Sequence, residues 1–190
     1  MTATFKIPLA IRPQVLQPEH AVFIECIASR NNGQMHGFWV DLELVKDADD
    51  WKAVTEFLFA TSKQPNAEEY QITDHKIPQF AALAGFRAFI EFTQISCSLS
   101  SDLRPAYWAY CSHTNNVSSR SEFEAAFQGF YSDEAEFSEE RQLLENNDLE
   151  TYFLSNYVDW DRVWQGEYHC NGYFAHDVAG QVAIFAPVGK

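Results

Sequence analysis

Residues 21–44, AVFIECIASRNNGQMHGFWVDLEL, decide the fold of the first part of the chain. AVFIECIA is apolar, with the β-branched and aromatic residues that suit a pleated, half-buried surface, and MHGFWVDLEL reads as a second such run. Between them, SRNNGQ contains Asn32-Gly33, a dipeptide that accepts the positive φ angles of a tight turn. The stretch predicts a β-hairpin. Next to it, DADDWKAVTEFLFATS (47–62) predicts a helix with Asp47 as N-cap and Trp51, Val54, Phe57 and Leu58 on one face. After the breaker KQPNA, EEYQITDHKI (68–77) alternates Tyr70 and Ile72 with polar neighbours, as a half-buried strand does. Residues 21–77 therefore predict a ββαβ domain. Prolines at 8, 13 and 18 exclude a long helix from residues 1–20, which read as an extended N-terminal arm.

The character changes at Pro78. PQFAALAGFRAFIEFTQ predicts a helix opened by proline, and the Ser- and aromatic-rich stretch after it, with Pro105 in its middle, a short helix between loops. Together they make a helical middle domain, 78–117. Residues 118–190 read as an acidic α+β domain. Ser121 and Glu124 stand at capping-box spacing at the start of a helix, SEFEAAFQGFY. Ser138 would cap a second helix ended by Asn146 or Asn147. DLETYFLSNY (148–157) and DWDRVWQG (159–166) predict two short helices, the latter capped by Asp159 and closed at Gly166. NGYFAHDVAGQVAIFAPV (171–188) predicts a strand, a turn at Gly180 and a strand.

Composition narrows the function. An apolar content of 46% with 15% aromatics favours a packed core over disorder. Thirteen basic against 27 acidic residues give a formal net charge of −14, and the Lys and Arg residues form no cluster. A phosphate-binding surface needs such a cluster, so no nucleic-acid partner is expected, whereas a basic partner is. The four cysteines are widely spaced without CxxC, no signal-peptide pattern is visible, and no apolar run reaches the roughly 18–20 residues of a membrane helix. A cytoplasmic location with reduced thiols and no membrane partner is the expectation.

Helix polarity accounts for part of the acidity. Asp49, Asp50, Glu122, Glu124, Glu139, Glu140 and Asp161 fall in the first turn of predicted helices, where they oppose the macrodipole for roughly 0.3–1 kcal/mol each. Glu145, Asp148 and Glu150 have no such explanation, because no Lys or Arg occurs between Gln142 and Asp161. Like charges at helical spacing repel. Retaining them points to a surface in use.

Other chemistries find less support. DLELVKDADDWK lacks the Asp-x-Asp-x-Asp-Gly order of a calcium loop. Cys111 with His113, and His169 with Cys170, have no second pair at zinc-ligand spacing, so neither a metal nor a cofactor is expected. His36, His75 and His176 fall in predicted strands, where packed or hydrogen-bonded roles are commoner. No GxSxG, P-loop or GxGxxG occurs, and no catalytic residue is assigned. Acids three or four residues apart on a helix have Cβ atoms roughly 5–6 Å apart. A strand of DNA carries a phosphate per roughly 3.4 Å of axis, and its winding lengthens the direct separation. A row of helix-borne carboxylates can stand in for one phosphate track.

VFIECIASRNNGQMHGFWVDLE, DADDWKAVTEFL and EEYQITDHKIP, followed in order by FEAAFQGFYSDEAEFSEERQLLE and YVDWDRVWQGEY…NGYFAHDVAGQVAIF, resemble the ArdA-type antirestriction proteins over about residues 21–77 and 118–185. The resemblance implies an elongated α+β chain of three small domains that forms a homodimer and imitates duplex DNA. It implies a non-enzymatic inhibitor that occupies the DNA site of type I restriction–modification enzymes. Carried onto this sequence, the phosphate-mimicking acids would be Asp41, Glu43, Asp47, Asp49, Asp50, Glu122, Glu124, Asp133, Glu134, Glu136, Glu139, Glu140, Glu145, Asp148, Glu150, Asp159 and Asp161, with the antirestriction segment near 140–164. An acidic adaptor for another basic DNA-associated protein is the alternative.

Overall fold

The computed structural model describes residues 7–12, 20–77, 86–145, 155 and 157–187. Its α+β chain divides into two compact units, 1–98 and 99–190.

In the first unit an antiparallel sheet has the order β1-β3-β2-β4, with β1 (Ile11–Arg12) a two-residue edge strand beside β3 (Gly37–Asp41), β2 (Ala21–Cys26) and β4 (Tyr70–His75). β2 and β3 pair from Ala21 opposite Asp41 to Glu25 opposite Gly37. Gly37 is demanded by this pairing, since a Cβ there would collide with the Ile24 carbonyl oxygen and the Phe23 ring. The connection departs from the expected tight turn. Residues Ile27–Asn31 coil into a short helix, α1, and Asn32-Gly33 ends it: the Asn32 and Gly33 amides donate to the Ser29 and Arg30 carbonyls at 3.1 and 2.9 Å. The same dipeptide thus serves as a helix stop instead of a two-residue strand reversal. The second strand is also shorter than expected, because the Asp41 carboxylate accepts the Glu43 amide at 3.2 Å and turns Leu42–Leu44 into a 3-10 helix.

The helix after it, α2 (Ala48–Thr61), begins where the sequence places it. The Asp47 carboxylate accepts the Asp49 and Asp50 amides at 3.0 and 2.9 Å. Trp51, Val54 and Leu58 are buried with Val22, Ile24 and Val40 of the sheet. The Trp51 indole donates to the Tyr70 hydroxyl at 2.9 Å and stacks on Phe86, the first residue of α3 (Phe86–Ser98). The expected helix start at Pro78 lies outside the described residues.

In the second unit the expected short helix is α4 (Arg104–Thr114), with Pro105 in its first turn, where its missing amide has no intrahelical acceptor to serve. Four other readings are corrected. The capping box is Ser119 with Glu122, two residues before the expected pair. The Ser119 amide donates to the Glu122 carboxylate at 2.7 Å and the Glu122 amide to Ser119 Oγ at 3.2 Å. The helix it opens, α5 (Arg120–Ala126), stops before FQGFY, which forms β5 (Phe127–Tyr131). That run pairs with β7 (Gln181–Phe185), and β6 (Phe174–Val178) completes the sheet order β5-β7-β6. Aromatic residues that could continue a helix are drawn into the sheet because Phe127 packs there on Phe123 and Phe185.

The next helix, α6 (Glu134–Glu145), starts five residues ahead of expectation. Asp133 accepts the Glu136 amide at 2.8 Å, and Glu136 accepts the Ser132 amide and hydroxyl at 2.5 and 2.8 Å. Ser138 is buried in mid-helix, its hydroxyl donating to the Glu134 carbonyl at 2.8 Å. Finally, Asp159 caps α7 (Trp160–Val163) as expected, but the coil runs through Gly166. A π turn, Trp164–Tyr168, and a 3-10 turn, His169–Asn171, carry it to Gly172, whose φ of 91° suits only glycine among common residues. The continuation is held by packing, since Trp164 and Tyr168 meet Phe137 edge-on at 5.9 and 5.0 Å. The strand–turn–strand ending around Gly180 is present as β6 and β7. The helix expected over 148–157 lies outside the described residues but for Ser155 and Tyr157.

Candidate functional site

Of the 27 acids, 15 fall in the second unit against five bases, a net of −10; the first unit holds 12 against eight, a net of −4. Charge is therefore concentrated on the second unit. Phe137 is the pin of a core cluster there, packed with Trp164, Tyr168, Val182 and Ile184.

That pin orients α6. Phe137 and Ser138 are buried, while Asp133 ahead of the helix and Glu136, Glu140 and Glu145 on it are exposed to solvent. Glu136 and Glu140 are one turn apart on the helix. The single base of the helix, Arg141, is turned inward: its Nε is buried, and its charge acts on the Tyr131 and Tyr168 hydroxyls. Burial, with help from the Glu140 charge, holds the Tyr131 phenol above its usual range, so it stays neutral. Two of the acids are committed locally. Hydrogen bonds from Ser132 hold the Glu136 carboxyl below the usual carboxylate range, and hydrogen bonds from Ser119 do the same for Glu122. Glu140, Glu145 and Asp161 are exposed, and their carboxylates make no hydrogen bond or ion pair among the described residues. Glu139 and Glu140 stand beyond the first turn of α6, so the macrodipole does not account for them as the expected Ser138 cap would have done.

The other predicted acids divide by environment. Glu124 is paired with Arg120 at 2.6 Å, and Asp159 is a helix cap. Glu134 and Glu139 are half-buried. In the first unit Asp47 and Asp49 are exposed, while Asp50 accepts the Lys46 amide at 2.9 Å. Asp41 is buried as the cap of the 3-10 turn, which takes it off the surface. Asp148 and Glu150 lie outside the described residues. Exposed acids that the sequence reading passed over include Asp102, Glu167 and Asp177. They stand singly in turns or at a strand edge, where neither helical spacing nor a charge run marks them.

Glu43 belongs to a different constellation. His20 is fully buried, with Nδ1 2.8 Å from Glu43 Oε1 and Nε2 2.9 Å from Ser96 Oγ. The order Ser–His–Glu is that of a nucleophilic triad, but Ser96 is itself fully buried on α3 and its hydroxyl meets no substrate. A groove of about 500 Å³ along Ile7–Ala10, Leu44, Lys46 and Asp50 does not include these residues. No helix of the described residues is long and apolar enough to cross a membrane.

The acids of α6 thus divide between exposed, half-buried and locally hydrogen-bonded positions on a helix seated on an aromatic cluster. The model of the antirestriction protein family ArdA matches residues 22–178, most of the chain, and the chain belongs to that family. Membership implies an antirestriction function. No curated protein matches the sequence.

Proposed function

We propose that the protein inhibits a type I restriction–modification enzyme by occupying, without catalysis, the groove that binds duplex DNA. The observation that supports this most is the acidic surface of α6, with Asp133, Glu136, Glu140 and Glu145 exposed while Arg141 is turned inward. A Lys- and Arg-lined groove attracts such a face for the reason it attracts phosphates, and the association is fast and salt-sensitive. The unneutralised segment to Asp161 extends the row in sequence. The same reading has the protein act in the cytoplasm as a homodimer, with residues 78–117 as a domain of their own.

The test is displacement. Purified protein is titrated into a complex of a type I methyltransferase core with labelled duplex, at several salt concentrations. The expected outcome is release of the duplex, weakening as salt rises. Full retention of duplex under saturating protein at low salt would reject the reading.

A further inference from the structure

Cys97 joins the His20–Glu43 pair. Its Sγ lies 3.9 Å from His20 Nδ1, and one ligand atom from each of the three residues falls within 4.8 Å of the others. They come from three places in the first unit: His20 precedes β2, Glu43 sits in the 3-10 turn after β3, and Cys97 is in the last turn of α3. We infer that His20, Glu43 and Cys97 form a site for a transition-metal ion of the zinc type, independent of the acidic face.

The chemistry and the dimensions both fit. Nitrogen, carboxylate and thiolate are the donor set of four-coordinate zinc, with bonds of about 2.0–2.3 Å. Tetrahedral angles at those lengths put ligand atoms about 3.4–3.7 Å apart. The sulfur–nitrogen distance is 3.9 Å. The nitrogen–oxygen distance of 2.8 Å must open by about half an ångström, and Glu43 can yield because its side chain is 41% exposed. That exposed side leaves the fourth position to water. Ser96 supplies the outer support usual for a metal-bound imidazole. Coordination requires Nδ1 without a proton, so a neutral ring carries its proton on Nε2 and donates it to Ser96 Oγ. The Cys97 thiol gives up its proton to solvent, and one proton leaves per ion bound. Binding ties α3 to the sheet and stabilises the fold.

Cobalt(II) added to the reduced full-length protein tests the inference. A thiolate-to-cobalt absorption band is expected, reversed by a chelator, with a raised melting temperature. Cys97→Ser abolishes the band, whereas Cys170→Ser, which alters the exposed cysteine beside His169, leaves it. Ser96→Ala keeps the band but weakens affinity roughly 10- to 100-fold, the usual effect of losing an outer-shell partner. Circular dichroism establishes that the variants are folded. Should Cys97→Ser fail to fold, Glu43→Gln takes its place, with affinity reduced at least tenfold. Absence of a band in the parent, its loss in Cys170→Ser, or unchanged affinity in the Cys97 or Glu43 variant overturns the site.

Discussion

Reversing two charges on α6 separates a presenting surface from a structural one, because the two roles predict opposite signs. Glu140 and Glu145 are exposed, cap nothing and pair with nothing among the described residues, so Glu140→Lys with Glu145→Lys disturbs no contact of the fold. The change at position 140 turns a repulsion with Glu136 into an attraction one helical turn away. Position 145 lies in the last turn of α6, where a cation in place of an anion gains about 0.3–1 kcal/mol from the macrodipole. For a chain of this size each kcal/mol moves the melting temperature by about 2–4 °C, so the variant should melt about 1–4 °C higher. Against a basic groove the same change is unfavourable. A carboxylate about 4 Å from a cation gains about 1 kcal/mol in a water-like dielectric, and reversal converts that gain into a similar cost. Two sites sum to about 4 kcal/mol, which salt reduces, giving a loss of roughly 30- to 1000-fold in affinity. Thermal denaturation and the duplex-displacement titration, run on the same samples, read both quantities. A variant that melts higher and displaces duplex as well as the parent refutes the α6 carboxylates as part of the inhibitory surface. A variant that melts lower refutes the account of the helix.

Phe137→Ala should cost about 3–5 kcal/mol in denaturant unfolding, since the ring is fully buried against Trp164, Tyr168 and Tyr131. Glu122 and Glu136 have folded-state pKa values below the unfolded value of about 4.3. The unfolded chain therefore binds protons first as pH falls, so their contribution is complete above that value and is lost as pH drops through the lower folded ones. Replacing Ser119 and Ser132 by alanine should flatten this acid limb in pH-dependent melting curves. Ala179 holds a φ of 52° ahead of Gly180 in the β6–β7 turn, a strained conformation for alanine. Ala179→Asn should raise stability by about 1 kcal/mol, read as a higher denaturant midpoint at unchanged slope.

Local chemistry explains which expectations the structure bears out. Asp47 at the start of α2 needed only its own next three residues to be recognisable as a cap, and Asp159 likewise. The stripe Trp51, Val54 and Leu58 is a period, visible without knowing what it packs against. The β6–β7 ending is announced by two alternating runs around a glycine. Ser119 and Ser121 both precede an acid by three residues, and only the beginning of the α5 coil decides between them.

The sequence by itself determined the α+β class, the excess of carboxylates and the family, because composition, period and the order of motifs are properties of the chain before it folds. Tertiary packing decided the rest. Phe137 took its place against Trp164 and Tyr168, which began α6 early, carried the coil past Gly166 and turned Arg141 inward. Sheet pairing claimed Phe127–Tyr131 from a helix. Glu43 and Cys97 stand 23 and 77 positions from His20 and share no spacing rule with it. Their convergence follows from how α3 lies on the sheet, and a contact between distant segments leaves no mark in the local pattern of either one.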